Sequence, residues 1–279
     1  MRLASVSARA SARAQPDVAF SASGPLLFAR YALAPNRLGL CGPSDWQALL
    51  EAGRVGLDRG ANGVERRRST EAERVLRRLA VDFEGAFPYL QLIAAANGIS
   101  DPLDVRVVEG YWIGNDLSDR VDASLLAGSL DERFRRRTTP DAWRWLAQKP
   151  LAGAAPTHAL HVLDVFPRVG LLRGGDASDT MGLMDACRIR WSRVTSVIGD
   201  ALIVEASRLE MSSGKLRLGP AMRETIKRLP EIPGSGAMVQ AGDYVSVHWG
   251  WACEVLSSGR LARLIAHTEA QLRVTNQTI

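Results

Sequence analysis

The apolar pattern of this chain changes period once and then changes back, and that succession limits the folds open to it. From Leu26 to about Lys149 apolar residues recur at three- and four-residue intervals, the spacing that gathers them on one helix face. Beyond about Gly182 they alternate, in RIRWSRVTSV, ALIVEASRL, KLRLG and DYVSVHWGWA, with Gly-Asp, Ser-Gly and other Gly-containing turns between. That is the strand pattern. A helical period then returns in SGRLARLIAHTEAQLR, which sets Leu261, Leu264, Ile265 and Leu272 on one face. The order specifies an α+β chain, a mostly helical domain followed by a small β-barrel of four short strands closed by a C-terminal helix.

With 279 residues the chain is long enough for two cores. The division expected is a disordered basic tail over residues 1–22, a helical domain over 23–182 and a barrel domain over 183–279. The joint falls in one of two breaks rich in small residues and Gly or Pro, 150–156 or 171–182. Within the helical part, Gly42-Pro43 precedes SDWQALLEAG and predicts a helix from near Ser44 to Gly53. A polar connection, GLDRGANGVERRRS, comes next. Thr70 with Glu73 three residues on forms a capping-box pattern that predicts a helix start. Pro88 is expected to kink or divide that helix, YLQLIAAANG ends at Asn97-Gly98, and PLDVRVVEGYWIG places Val105, Val108 and Trp112 on one stripe. Thr139 and Pro140 mark the start of a later helix.

Composition excludes several classes. A hydrophobic content of 46% with 23% charged residues is that of a globular chain. No apolar run approaches the roughly 20 residues that span a bilayer, so no membrane span is expected. Arg9 and Arg13 interrupt the run a secretory signal would need. Arg2, Arg9 and Arg13 with no acid before Asp17 allow an organellar transit peptide, a plain tail being the preferred reading. A cytoplasmic location is therefore expected. The three cysteines are too few and too scattered for a disulfide framework. A net charge of +5 allows an acidic partner, but the runs Arg66–Arg68 and Arg135–Arg137 lack interleaved aromatics, so nucleic-acid binding is not expected. No nucleophile elbow, phosphate loop or dinucleotide fingerprint is present.

Four histidines are spread along the chain, and two of them fall together in His158-Ala-Leu-His161, with Asp164 three residues on. One helix face could present these three to a metal, and they define the alternative function, a metal-dependent enzyme. The same spacing also suits histidines that only pack. Cys41 in the tripeptide CGP stands just before a predicted helix start, where free amides would lower a thiol pKa. Glu84, Glu109 and Asp119 lie in apolar helical surroundings and either form a buried polar cluster or face solvent.

The strand region also resembles a known family over about residues 186–273. The segment Gly242-Asp243-Tyr244-Val245-Ser246-Val247-His248-Trp249-Gly250-Trp251-Ala252 is similar to the Gly-Asp-(Tyr/Trp)-Val-x-Val-His-x-Gly-(Phe/Trp)-Ala segment of HypC chaperones of NiFe-hydrogenase maturation. Cys187-Arg188-Ile189 stands where that family's cysteine opens the first strand, and VTSVIGDALIVEA is similar to its valine-rich hairpin. The resemblance implies an OB-like barrel and a chaperone, not a catalyst. It implies that Cys187 and His248 transiently hold an iron fragment bearing cyanide and carbonyl ligands. The partners implied are a hydrogenase large subunit, other maturation proteins, or both. Three features depart from the family: Cys187 is internal, Trp191-Ser192 replaces a Pro-Gly, and SSGKLRLGPAMRETIKRLPEIPGSG reads as an insertion. In the helical part, FARYALAPNRLGLCGPSD, FEGAFPYLQLIAAANGISDPLD and VVEGYWIGNDLSDRV resemble an uncharacterised bacterial family associated with hydrogenase gene clusters.

Overall fold

A computed structural model of the protein describes residues 22–55, 63–169, 180–228 and 239–279. Of the tail expected over 1–22, residues 1–21 lie outside the described residues, while Ala22 is buried in the helical core, one residue before the expected start of that domain. Much of the polar connection after Val55 and nearly all of the break at 171–182 also lie outside the described residues.

The helical part is built around α1 (Gly24–Arg37), which is buried along its length from Gly24 to Asn36. A helix buried on every side must sit inside a bundle. Around it lie α2 (Trp46–Val55), α3 (Gly63–Val81), α4 (Phe87–Ala96), α5 (Val105–Trp112), α6 (Asp116–Asp119), α7 (Ala123–Phe134) and α8 (Pro140–Ala147). At Gly24 the approach of α1 to the turn before α5 is so close that a Cβ would fall 1.8 Å from the Leu103 carbonyl oxygen, so only glycine fits. Local chemistry sets most of the starts. Asp104 caps α5 by accepting from Arg106 N–H, and Thr139 caps α8 with Pro140 in its first turn, as the sequence indicates. Pro88 sits in the first turn of α4, after α3 has ended.

One start differs from expectation. Helix α3 begins at Gly63, so Thr70 lies inside it, about two turns past the start. Glu73 instead pairs with Arg77 one turn on, at 3.1 Å, and Arg77 reaches Asp101 at 2.9 Å. Such spaced charge pairs support a helix from within.

After α8 the chain forms α9 (His158–Leu160), a π turn over His161–Val165 and α10 (Phe166–Val169). Pro167 has no amide hydrogen to offer the Leu163 carbonyl and crowds it, which gives the widened turn a cause. Helix α11 (Thr180–Cys187) then leads into β1 (Arg190–Ile198), β2 (Ala201–Ser212), β3 (Lys215–Lys227), β4 (Tyr244–His248), β5 (Trp251–Val255) and α12 (Ser258–Asn276). Five strands form where four were expected. The excess comes from the Trp249-Gly250 turn, which splits one apolar run into β4 and β5, and most of the apparent insertion is β3. The strands are ordered β1-β2-β3-β5-β4, antiparallel except for a single parallel pairing of Lys227 with Trp251, and β4 pairs back to β1, so the ring closes.

Strands β4 and β5 are covered on both faces. Val245, Val247 and Ala252 join the core inside the ring, with Val194, Leu202, Val204 and Ile226. Ile189, Cys253, Leu256 and Leu264 belong to the same core as the helices. This double burial explains why DYVSVHWGWA reads as a near-continuous apolar run, and it carries His248 and Glu254 into the contact between helices and sheet.

Candidate metal centre

Three segments far apart in sequence meet at this contact. Cys187 ends α11, His248 ends β4 and His158 opens α9. The turn after His248 fixes their approach. Trp249 and Gly250 both have positive φ, 53° and 75°, as a tight hairpin of the primed type requires. Tryptophan adopts that conformation at a cost, and the Trp249 amide is held there by the Ala186 carbonyl at 2.8 Å. The turn thereby presses the end of β4 against Cys187. Ligand-capable atoms of His158, Cys187 and His248 all lie within 4.8 Å of one another.

The hydrogen bonds define the proton positions. His248 Nδ1 is 2.7 Å from the Tyr31 carbonyl, which can only accept, so Nδ1 carries the hydrogen and Nε2 presents a lone pair. That Nε2 is buried near the Cys187 main chain and makes no hydrogen bond in this tautomer. His158 Nε2 lies 2.9 Å from the Cys187 carbonyl and 3.8 Å from its sulfur, so Nε2 donates, and Nδ1 accepts from the Tyr111 hydroxyl at 3.1 Å. Trp112 packs beside both rings, 4.8 Å from His158 and 5.7 Å from His248, and stacks on Tyr31 at 5.2 Å. Aromatic rings thus line one side of the cluster.

Burial controls the charge states. It lowers the His158 pKa to about 4 and pushes that of His248 well below the usual value, with the charge of His158 adding to the effect. It raises the Cys187 thiol, helped by the nearby Cys41 and opposed by the Trp249 indole. All three groups are neutral near pH 7. The set offers two buried imidazole nitrogens and one half-buried sulfur, a donor combination that suits borderline to soft transition-metal ions.

The sequence spacing HxxHxxD is not one ligand set. The π turn spreads residues three apart farther around the axis than an α turn does, and the three side chains part company. Only His158 joins the cluster. The His161 ring packs edge-on to Tyr89 and against Gly85, with Arg133 above Tyr89. Asp164 lies 3.1 Å from Lys149 Nζ, both side chains at 0% exposure, and accepts from Gln271 and Thr275. Burial raises its carboxyl pKa and lowers that of the lysine, each opposed by the partner's charge.

Cys41 also differs from expectation. Helix α2 starts at Trp46, five residues after Cys41, and desolvation by the surrounding protein pushes the thiol pKa up to about 12. The residue remains solvent-accessible, which tempers that rise. Of the three acids, only Glu109 is buried. Glu84 is exposed, and Asp119 is exposed and 3.6 Å from His267.

Glu109 belongs to a network that sequence patterns did not reveal. Arg260 on α12 joins Glu109 at 2.9 Å and grips Glu254 on β5 through two nitrogens, at 2.6 and 2.8 Å. Arg30 lies 3.8 Å from the same carboxylate. The Tyr31 hydroxyl donates to Glu254, while its carbonyl orients His248. One residue of α1 thus ties the buried charge cluster to the candidate ligands. Asp-, Glu- or Arg-spacing gives no sign of this, because the members come from α1, α5, β5 and α12.

Fold and site together define an α+β protein in which a closed five-stranded sheet and a helical bundle share a buried cluster of two histidines and a cysteine. A family model described as a family of unknown function, DUF6390, matches residues 20–279, and the chain belongs to that family. Comparison with curated proteins found no match, and neither did comparison with solved structures.

Proposed function

We propose that this protein is an accessory of NiFe-hydrogenase maturation, a HypC-like chaperone that binds an iron fragment bearing cyanide and carbonyl, together with a hydrogenase large subunit or another maturation factor. One observation carries the reading. Cys187 and His248, the two residues matched to the family's pattern across 61 steps of sequence, lie in one buried cluster with ligand atoms within 4.8 Å. The closed ring of five strands with a helix after it is also what a small OB-like barrel of that kind requires. A soft sulfur beside a buried imidazole suits low-valent iron. The enzyme alternative is weaker on this geometry, since Asp164 is committed to Lys149.

The test is anaerobic affinity purification of the tagged protein from cells that make it, with hydrogenase activity measured after Cys187→Ser replacement. Co-purification of a large-subunit precursor or a maturation protein, with activity lost in the variant, is the expected result. Absence of any such partner together with wild-type activity in the variant would overturn the reading.

A further inference from the structure

We infer that His158 is a third protein ligand, so that this chain alone offers a two-nitrogen, one-sulfur set to a single transition-metal ion, with one donor from the helical bundle and two from the sheet side. The approach of His158 Nε2 to the Cys187 sulfur, 3.8 Å, is already near the span of two ligands on one ion. Bonds of about 2.0 Å to nitrogen and 2.3 Å to sulfur place such atoms roughly 3–4 Å apart, so the widest separation must close by about 1 Å. His248 needs no preparation: its Nδ1–H is fixed by a main-chain carbonyl, the usual outer support of a metal-bound histidine, and its Nε2 lone pair is buried and unpartnered.

His158 needs one change of tautomer, and the structure provides for it. Without metal, Nε2–H donates to the Cys187 carbonyl and Nδ1 accepts from Tyr111. Ligation by Nε2 requires its hydrogen to leave and Nδ1 to gain one. Tyr111 can then accept from Nδ1–H and turn its own hydroxyl hydrogen to the Gly85 carbonyl, 3.4 Å away. The tautomer change is proton-neutral, so loading releases one proton overall, that of the Cys187 thiol, as the metal–sulfur bond forms.

The set of donors also bears on the cargo, and this step rests on the maturation reading. Strong-field cyanide and carbonyl ligands favour six-coordinate iron, and His158, Cys187 and His248 would supply three donors and leave three positions for the small ligands. No donor from a partner is then needed while the fragment is held.

The experiment uses the full-length protein, anaerobic and metal-free, titrated with Co(II) and followed by thiolate-to-cobalt charge transfer and X-ray absorption. The expected result is one ion per chain, bound by one sulfur and two imidazoles. Cys187→Ser should abolish the charge-transfer band. His158→Gln, which keeps hydrogen bonding to Tyr111, should leave the band, reduce the imidazole count to one and weaken binding at least tenfold. His161→Gln serves as a control for folding and should bind as the parent does. Unchanged affinity and two imidazoles in His158→Gln would overturn the inference, as would failure of the parent protein to bind. Co(II) bound as expected in a protein that captures no maturation partner would refute the maturation reading and leave the ligand set standing.

Discussion

Reassigning Asp164 from candidate ligand to ion-pair partner has a measurable cost. Replacing it with Asn keeps the shape and the hydrogen bonds available to Gln271 and Thr275 but leaves Lys149 Nζ at 0% exposure without a counter-charge. The ammonium would retain the Val274 and Thr275 carbonyls at 3.3 and 3.5 Å, the Thr278 hydroxyl at 2.5 Å and the face of Trp145 at 3.6 Å. Removing one partner of a fully buried pair typically costs about 3–5 kcal/mol. At about 2.1 cal/mol/K per residue, 279 residues give an unfolding entropy near 0.6 kcal/mol/K, so Tm should fall by about 5–9 °C. Scanning calorimetry reads this directly, and Co(II) titration of the same sample should show unchanged stoichiometry and charge-transfer intensity. Adding Lys149→Met to Asp164→Asn should recover most of the loss, because the uncompensated charge is gone. An unchanged Tm with lost metal binding would defeat the ion-pair assignment and restore Asp164 as a ligand.

Further outcomes arise from the same geometry. In the metal-free protein His158 titrates near pH 4 against 6.5 when unfolded, and His161 and His248 lie well below their usual value. Their stabilising contribution is therefore complete above about pH 6.5 and is lost as pH falls toward 4, roughly 3 kcal/mol for His158 alone. The raised carboxyl of Asp164 works the other way and softens the slope. Urea unfolding from pH 7 to 4 should show stability falling with acid, less steeply in His158→Gln; identical slopes would refute it. Gly24→Ala forces a Cβ into the Leu103 carbonyl, whose main chain cannot yield cheaply, and should cost about 1–3 kcal/mol, so an unchanged Tm would contradict the packing described. Glu254→Gln leaves Arg30 and Arg260 without their shared carboxylate and should lower Tm by a margin similar to Asp164→Asn, measured by the same calorimetry; a change under about 1 kcal/mol would show the network to be unimportant.

What the sequence disclosed depended on whether a feature is local. The change of period, the Thr139-Pro140 start and the closing helix are written in neighbouring residues, and the structure has them where they were read. Thr70 misled because a capping pattern is only a local option, and the Glu-Arg pairs beyond it carry α3 through. The strand count slipped at Trp249, since a primed turn with a non-glycine residue leaves little trace in composition. No local spacing signals the approach of Cys187 to His248, which only the HypC resemblance implies. The entry of His158 into the same cluster comes from packing between helices and sheet, and Pro167 settled what the HxxHxxD spacing left open. Tyr31, Glu254 and Arg260 had no legible signal, because Tyr31 meets the other two only through contacts between segments more than two hundred residues apart.

Whether the chain carries an iron fragment is decided by infrared spectroscopy of the protein purified anaerobically from hydrogenase-producing cells, in the region where metal-bound carbonyl and cyanide stretch. Carriage through Cys187 predicts carbonyl and cyanide bands that vanish in Cys187→Ser. A protein with iron-free thiol and no such bands, while hydrogenase matures normally in the variant, would contradict it.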